Sequence, residues 1–269
     1  MSDYTQLTLR NAGYIAADLQ RRIRETRLLI AGCGLGSVAA EVALRTGFEH
    51  FELADGDVVD THNLNRQIYT ADDVGRPKVA CLAERLKAIH PDADVRASHG
   101  WLAADTAPAT VERADLVFDT IDFLDLPAII ALHDEARRQG KTVISAFSIG
   151  WGALVTVFTP HSATLREMGG LAAKGSVEGA SYPLVFRALL ERLADRLPAD
   201  FVEVTWTALS HMADGKPCPA PQVGAGAYAT AAAMTTAAVR LLAGKPVAAA
   251  PDIVLLDVGA CVSAAALRA

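Results

Sequence analysis

The chain has 269 residues, 51% of them hydrophobic, which suffices for a substantial core in one large α/β domain or two small ones. Its 25 basic and 31 acidic side chains leave a net charge of −6 with no long basic run, which argues against nucleic acid as the main partner. Four cysteines (Cys33, Cys81, Cys218 and Cys261) lie far apart with no C-x-x-C pair, so neither a zinc knuckle nor a disulfide scaffold is signalled. The polar N-terminus lacks the pattern of a secretory signal, and the weakly polar stretch at 225–243 contains Arg240 and reads as a buried helix, not a membrane span. The expectation is a reduced, cytoplasmic protein with no membrane partner.

Apolar strand-like runs alternate with helical patterns through the first 150 residues. Residues 27–31 read as a strand, 37–45 as a helix ending at Gly47, and 51–54 as a second strand. Val79, Leu82, Leu86 and Ile89 share one helical face, and that helix stops near Pro91. Residues 95–98 and 116–118 are further strands, 124–138 a helix ended by Gly140, and 143–146 another strand. This order predicts an α/β fold with a mostly parallel central sheet and helices on both faces. The character changes after Gly150. A strand at 151–158 follows with no intervening helix, which predicts an antiparallel extension. Residues 161–177 read as a loop, 182–197 as a helix, 217–221 as a proline-rich crossing loop, 223–242 as a long Ala-rich helix and 253–257 as a last strand. With no repeat and no linker, a single domain over 1–269 is expected.

The first strand runs into Gly32-Cys33-Gly34-Leu35-Gly36-Ser37. A strand, a G-x-G turn and a helix present backbone N–H groups to a phosphate, because glycine permits the close approach. Ser37 stands where the usual frame has its third glycine, and Gly36 comes one place early. Alone, the motif suits a redox dinucleotide, a mononucleotide or a plain turn. Asp55, 19 residues after Gly36, closes the second strand where a carboxylate accepts ribose hydroxyls, which serves NAD and ATP equally. Asp57 is a second acid there, or a solvated turn residue.

Asn63, Asn65, Arg66, Gln67 and Lys78 separate the two nucleotides. ATP brings about four negative charges that need cations or metal close by. Arg66 can fork onto phosphate oxygens, and Lys78 can sit as a point charge against the α-phosphate, with Pro77 setting the helix start. A dehydrogenase needs neither cation here. The fourth strand ends in Asp119-Thr120-Ile121-Asp122, at the carboxyl edge where ligands bind in open α/β sheets. Asp122 can hold Mg²⁺ or cap the helix that follows, and Asp119 reads as structural.

In this order, and with Gly75-Arg76-Pro77-Lys78, these motifs resemble the ThiF/MoeB/HesA-type adenylyltransferases, bacterial relatives of the ubiquitin-activating enzymes. The resemblance covers residues 10–158 and returns faintly in Pro221-Gln222-Val223-Gly224. It implies a Rossmann-like nucleotide-binding half over 1–150 and a substrate-side elaboration over 151–269. It also implies the following roles. Asp55 holds the ATP ribose, and Gly32, Gly34, Gly36, Ser37, Asp57 and Gln67 complete the nucleotide site. Asn63, Arg66 and Lys78 contact the triphosphate, and Asp122 positions Mg²⁺. In a homodimer, Arg10 reaches into the partner's site. The implied reaction is attack of a carboxylate on the α-phosphorus of ATP, giving an acyl-adenylate for transfer to a thiol, an amine or a sulfur donor. The acid is the C-terminus of a ubiquitin-like or sulfur-carrier protein, or a peptide or small acid.

Three departures stand out. The glycine loop is one residue shorter than usual, the paired C-x-x-C zinc site is missing, and residues 161–219 match no recognised member. Cys218, beside Lys216, is the candidate for thioester formation, although without a motif a role-less loop cysteine is the simpler reading. Trp151 is either core or cleft lining, and His161 and His211 lie outside metal-ligand spacing. The rival readings are an NAD- or FAD-dependent oxidoreductase and a non-catalytic scaffold of the same fold.

Overall fold

The computed structural model describes residues 4–122, 125–175, 177, 187, 190–213 and 221–264. Seven strands form one sheet in the order β3-β2-β1-β4-β5-β6-β7. They are β1 (Arg27–Ala31), β2 (His50–Asp55), β3 (Asp94–His99), β4 (Leu116–Asp119), β5 (Thr142–Ile149), β6 (Gly152–Phe158) and β7 (Val254–Asp257). β3, β2, β1, β4 and β5 run parallel. The chain then reverses at Gly150, whose φ of +52° is left-handed, and β6 returns antiparallel with Gly152 opposite Ile149. β7 pairs antiparallel with β6. The mostly parallel sheet with an antiparallel extension is what the sequence predicts.

In chain order the α-helices whose bounds are described are α1 (Tyr4–Thr8), α2 (Ala17–Glu25), α3 (Leu35–Thr46), α4 (Lys78–Ile89), α5 (Ala107–Glu112), α6 (Leu126–Arg138), α7 (Leu165–Met168), α8 (Ala199–Ala213), α9 (Gly224–Leu242) and α10 (Val258–Ala264). Side chains alternate along the strands, so both faces of the sheet are buried. Leu28, Ile30 and Phe118 join a core with α2, α3, α4 and α9, whereas Leu29, Ala31 and Val117 join another with α5 and α6. Each fully buried Leu, Ile or Phe contributes about 1.5–3 kcal/mol. On α9 the buried residues Ala227, Ala231, Met234 and Ala238 recur at helical spacing, and three of the four are alanine. Gly226 lets this helix seat on the β5–β6 turn, because a Cβ there would lie 2.1 Å from the Gly150 carbonyl oxygen. That close seating carries the start of α9 to the carboxyl edge of the sheet.

Several boundaries differ from expectation. α6 starts at Leu126, because Asp125 is its N-cap and accepts the Ala128 N–H at 3.2 Å. The reading of Asp122 as the cap is thereby overturned. The segment at 161–177, expected as a loop, contains α7, with a reciprocal capping box between Thr164 and Glu167. Buried Arg166 ties it down through Asp134 and the carbonyls of Ala172 and Gly175. α1, α2, α5, α8 and α10 add to the helices expected from the sequence. Of the helix expected at 182–197, residues 187 and 190–193 are helical and Ala194–Arg196 form a 3-10 turn, while 182–186, 188 and 189 lie outside the described residues. In the crossing loop at 217–221 only Pro221 is described, so Cys218 too lies outside the described residues.

At the amino edge of the sheet, buried Glu49 binds Arg24 Nε at 2.6 Å and His90 Nε2 at 2.7 Å, and the Arg24 guanidinium lies over the Tyr4 ring. Burial alone would raise the Glu49 pKa, but the hydrogen bonds from Arg24 and His90 outweigh it and the carboxyl titrates below its usual range. A depressed folded-state pKa stabilises above the unfolded pKa, and the benefit is lost as pH falls through the folded one. Glu49→Gln is therefore expected to cost about 1–3 kcal/mol at neutral pH. Denaturant titrations of both proteins should converge as pH falls below about 4.3.

Candidate functional site

A cavity of about 640 Å³ opens at the carboxyl ends of β1, β2, β4 and β5, the edge at which open α/β sheets bind ligands. Gly32 and Gly34 line it. Gly32 has φ +84° and abuts the next strand's turn, where a Cβ would lie 2.4 Å from the Thr120 carbonyl oxygen. Gly36 does not line the cavity. It lies in the first turn of α3, where a Cβ would meet Thr120 Oγ1 at 2.5 Å and Ile30 Cγ2 at 2.7 Å. It thus performs the close helix–strand packing usual for a third glycine, which accounts for the shortened frame. Ser37, expected on the nucleotide, is fully buried beneath the loop. Its Oγ donates to the Gly34 carbonyl at 2.7 Å and accepts the Ile68 N–H at 3.4 Å. Both residues shape the turn from below and are not among the residues that line the cavity.

Asp55 lines the cavity and braces the same turn, its two oxygens accepting the N–H groups of Cys33 and of Asp57, the latter at 2.7 Å. Each oxygen keeps a lone pair for a further donor. Burial raises its pKa against the pull of those N–H groups and of Lys78. Cys33 is wholly buried, and desolvation pushes its thiol well up, so it is an inert filler. Lys78, the first residue of α4, is 6% exposed, and its Nζ lies 2.7 Å from Asp57 Oδ2. Asp57 is therefore the counter-charge of Lys78, where the sequence left open a mere solvated turn.

Arg66 also faces the cavity. Its Nε donates to Gln222 Oε1, and its Nη1 donates to the His62 carbonyl at 2.8 Å and to Asn65 Oδ1 at 2.9 Å. Asn65 Nδ2 donates to the Gln222 carbonyl at 3.0 Å, so the Arg66 turn is latched to the residues that precede α9. Burial lowers the Arg66 pKa, and the nearby Asp122 carboxylate opposes that shift. Asn63, buried, accepts the Asp60 N–H at 3.0 Å and lines the cavity with Gln67, whose amide lies over Gly34.

Asp122 lines the cavity beyond the end of β4. The turn that carries it is held by buried Asp119. Its Oδ2 lies 2.8 Å from both His133 Nε2 and Ser145 Oγ, and its Oδ1 accepts the Ile121 N–H at 3.3 Å. The structural reading of Asp119 fits this placement. Arg10 is exposed in the 3-10 turn Leu9–Asn11 and does not line the cavity. Trp151 is 57% exposed and also lies outside the cavity wall, so it is neither core nor cleft lining.

Some of the wall was not read from the sequence. Trp101, after β3, lies against Gly56, where a Cβ would be 2.6 Å from the indole. It remains 64% exposed while lining the cavity beside Asp55. α8 contributes Asp200, Phe201, Val204, Thr205, Ala208 and Leu209. Among the described residues no group of three or more His, Cys, Asp or Glu could hold a metal ion.

The ThiF family model matches residues 7–259. This chain belongs to the ThiF family. It is 33% identical over 148 residues to the sulfur carrier protein ThiS adenylyltransferase of Escherichia coli (strain K12), covering 54% of this chain and 58% of that protein. It is 30% identical over 158 residues to the heterocyst protein HesA of Trichormus variabilis, covering 58% and 57%. The chain thus spans little more than half the length of these ThiF relatives. The E. coli tRNA N6-threonylcarbamoyladenosine dehydratase TcdA, solved with ATP, aligns with a TM-score of 0.52 at 27% identity over 56% of this chain and 63% of that one. PaaA aligns with a TM-score of 0.66 over 95% of this chain and 77% of that one at 18% identity, a likeness of fold. The Rossmann-like ThiF fold expected from the motifs is the one adopted.

Trp101 and Asp55 line the same ThiF-family cavity, so were a nucleotide's ribose to reach Asp55, Trp101 would offer its base an aromatic face. Trp101→Ala is expected to weaken ATP binding roughly 5- to 100-fold, the usual worth of one aromatic–base stack. It should also abolish most ATP-dependent quenching of tryptophan fluorescence; undiminished quenching in the variant would place the base elsewhere.

Proposed function

We propose that this chain activates a carboxylate with ATP, forming an acyl-adenylate and pyrophosphate. One observation carries the reading: Arg66, Lys78 and Asp122 line a single cavity together with the glycine turn and Asp55. Asp55 accepts the ribose hydroxyls, and the N–H groups of the glycine turn and the start of α3 receive phosphate oxygens. Lys78 and Arg66 offset the charge that builds as the substrate carboxylate attacks the α-phosphorus and the bond to the β-phosphate breaks. Pyrophosphate leaves with the electron pair of that bond. Asn63 and Gln67 orient the polyphosphate.

Mg²⁺ suits this donor set. Asp122 is a hard carboxylate ligand without a protein cage, and Mg²⁺ typically takes one or two carboxylates plus substrate phosphates. When bound, the ion supplies further neutralisation of phosphate charge. The activated acid is a carrier-protein C-terminus, a peptide or a small acid. A homodimer in which exposed Arg10 serves the neighbouring site belongs to the same proposal, as does a cytoplasmic setting. Among the described residues no helix is long and apolar enough to cross a membrane.

The test is nucleotide binding followed by exchange. ATP with Mg²⁺ should raise the melting temperature and NAD should not, and a suitable acid should bring pyrophosphate label into ATP. Binding of NAD in place of ATP would overturn the proposal in favour of an oxidoreductase. ATP binding without exchange for any acid would favour a scaffold.

A further inference from the structure

The lining of the cavity carries two chemistries. Its cations include Lys78 and Arg66. α8 presents Phe201, Val204, Thr205 and Ala208, spaced as one helix face, joined by Leu209. Ala128 of α6 and Ala146 and Phe147 of β5 add to the apolar lining. Val204 is 43% exposed although it borders a cavity, so apolar surface is left for a ligand to cover. Asp122, Asp125, and Asp200 in the first turn of α8 also line the cavity, and Arg66 lies near Asp122.

The geometry points to a substrate whose reacting carboxylate adjoins a branched apolar side chain. This rests on the adenylylation reading, since the phosphates must take Lys78 and Arg66 for the acyl group to be left to α8. A diglycine tail has no side chain to cover the apolar lining. A glutamate side chain would set a charge against that lining. A leucine-like side chain covers Val204 and Phe201.

Four probes test this by ATP–pyrophosphate exchange: free leucine and the peptides Ala-Ala-Leu, Ala-Gly-Gly and Ala-Ala-Glu. The expected order in kcat/KM is leucine carboxylate over glycine by at least about ten-fold, the usual worth of a filled apolar subsite, with glutamate lowest. Free leucine against Ala-Ala-Leu distinguishes a small acid from a peptide end. Ala208→Phe fills the compartment and should erase the leucine preference while the Kd for ATP is retained. Should that buried position not tolerate phenylalanine, Val204→Asp, at an exposed position, should erase it too by setting a charge in the apolar lining. Glycine- or glutamate-ended probes used as well as leucine-ended ones would overturn the inference. So would variants that keep the preference, or no exchange with any probe while ATP still binds. Failure to bind ATP at all would instead sink the adenylylation reading on which the inference rests.

Discussion

Asp122→Ala is expected to lower acid-dependent ATP–pyrophosphate exchange by about 10²–10³-fold, the scale on which one group aimed at developing transition-state charge matters. The structure separates this effect from a loss of fold. Asp122 does not cap α6, since that position belongs to Asp125, and the turn that carries it is braced by Asp119, which accepts the Ile121 N–H and meets His133 and Ser145. Removing the Asp122 carboxylate therefore leaves the α6 cap and the Asp119 hub in place. Its loss is felt by Arg66, whose guanidinium it supports electrostatically, and takes away the carboxylate that would hold Mg²⁺. Asp125→Ala gives the contrast. It removes the cap and should cost about 0.5–2 kcal/mol in stability. Thermal unfolding and exchange, measured on both variants, should thus separate two acids three residues apart. An Asp122→Ala protein with near-normal exchange would remove the acid from the mechanism.

The nucleotide half was legible because its chemistry is local in sequence. Strand, glycine turn and helix follow one another without interruption, and the ends of β2 and β4 mark themselves with acids. Of the glycine frame, Gly36 and Ser37 do not line the cavity. Their burial follows from α3 beginning at Leu35, which rolls both residues under the turn. The acyl end was illegible for two physical reasons. α8 carries Val202, Val204, Thr205, Trp206 and Thr207, residues of middling to poor helix propensity, so neither propensity nor a clean apolar stripe announces it. Its partners Phe147 and Ala128 also come from distant parts of the chain and meet it only across the cavity. The faint Pro221-Gln222-Val223-Gly224 signal acquires a physical meaning in the structure: Gln222 is the latch for Arg66 and Asn65, and a Cβ on Gly224 would lie 2.8 Å from the Asn65 carbonyl oxygen.

Lys78→Met is expected to weaken ATP binding by about 10²–10³-fold, and Asp57→Asn to act in the opposite sense. Lys78 is 6% exposed, so its ammonium is only partly screened by water, and a phosphate charge at about 4 Å is worth on the order of 4 kcal/mol in such a setting. Methionine keeps the apolar stem and removes the charge. Arginine should rescue poorly, because its planar fork differs in shape from the compact ammonium held 2.7 Å from Asp57. Asp57 competes with ATP for that ammonium. Its neutralisation leaves Lys78 without a counter-charge, which should lower the stability of the ATP-free protein by about 1–3 kcal/mol. Binding of ATP then restores the missing negative charge, so the increment in unfolding free energy on adding ATP, which grows as Kd falls, should exceed that of the unaltered protein. In Lys78→Met the same increment should nearly vanish. Chemical denaturation with and without ATP and Mg²⁺ reads both increments directly. If the two variants lost ATP-dependent stabilisation to the same degree, Asp57 would be acting as a nucleotide ligand in its own right, and Lys78 would not be the ammonium that the phosphates capture.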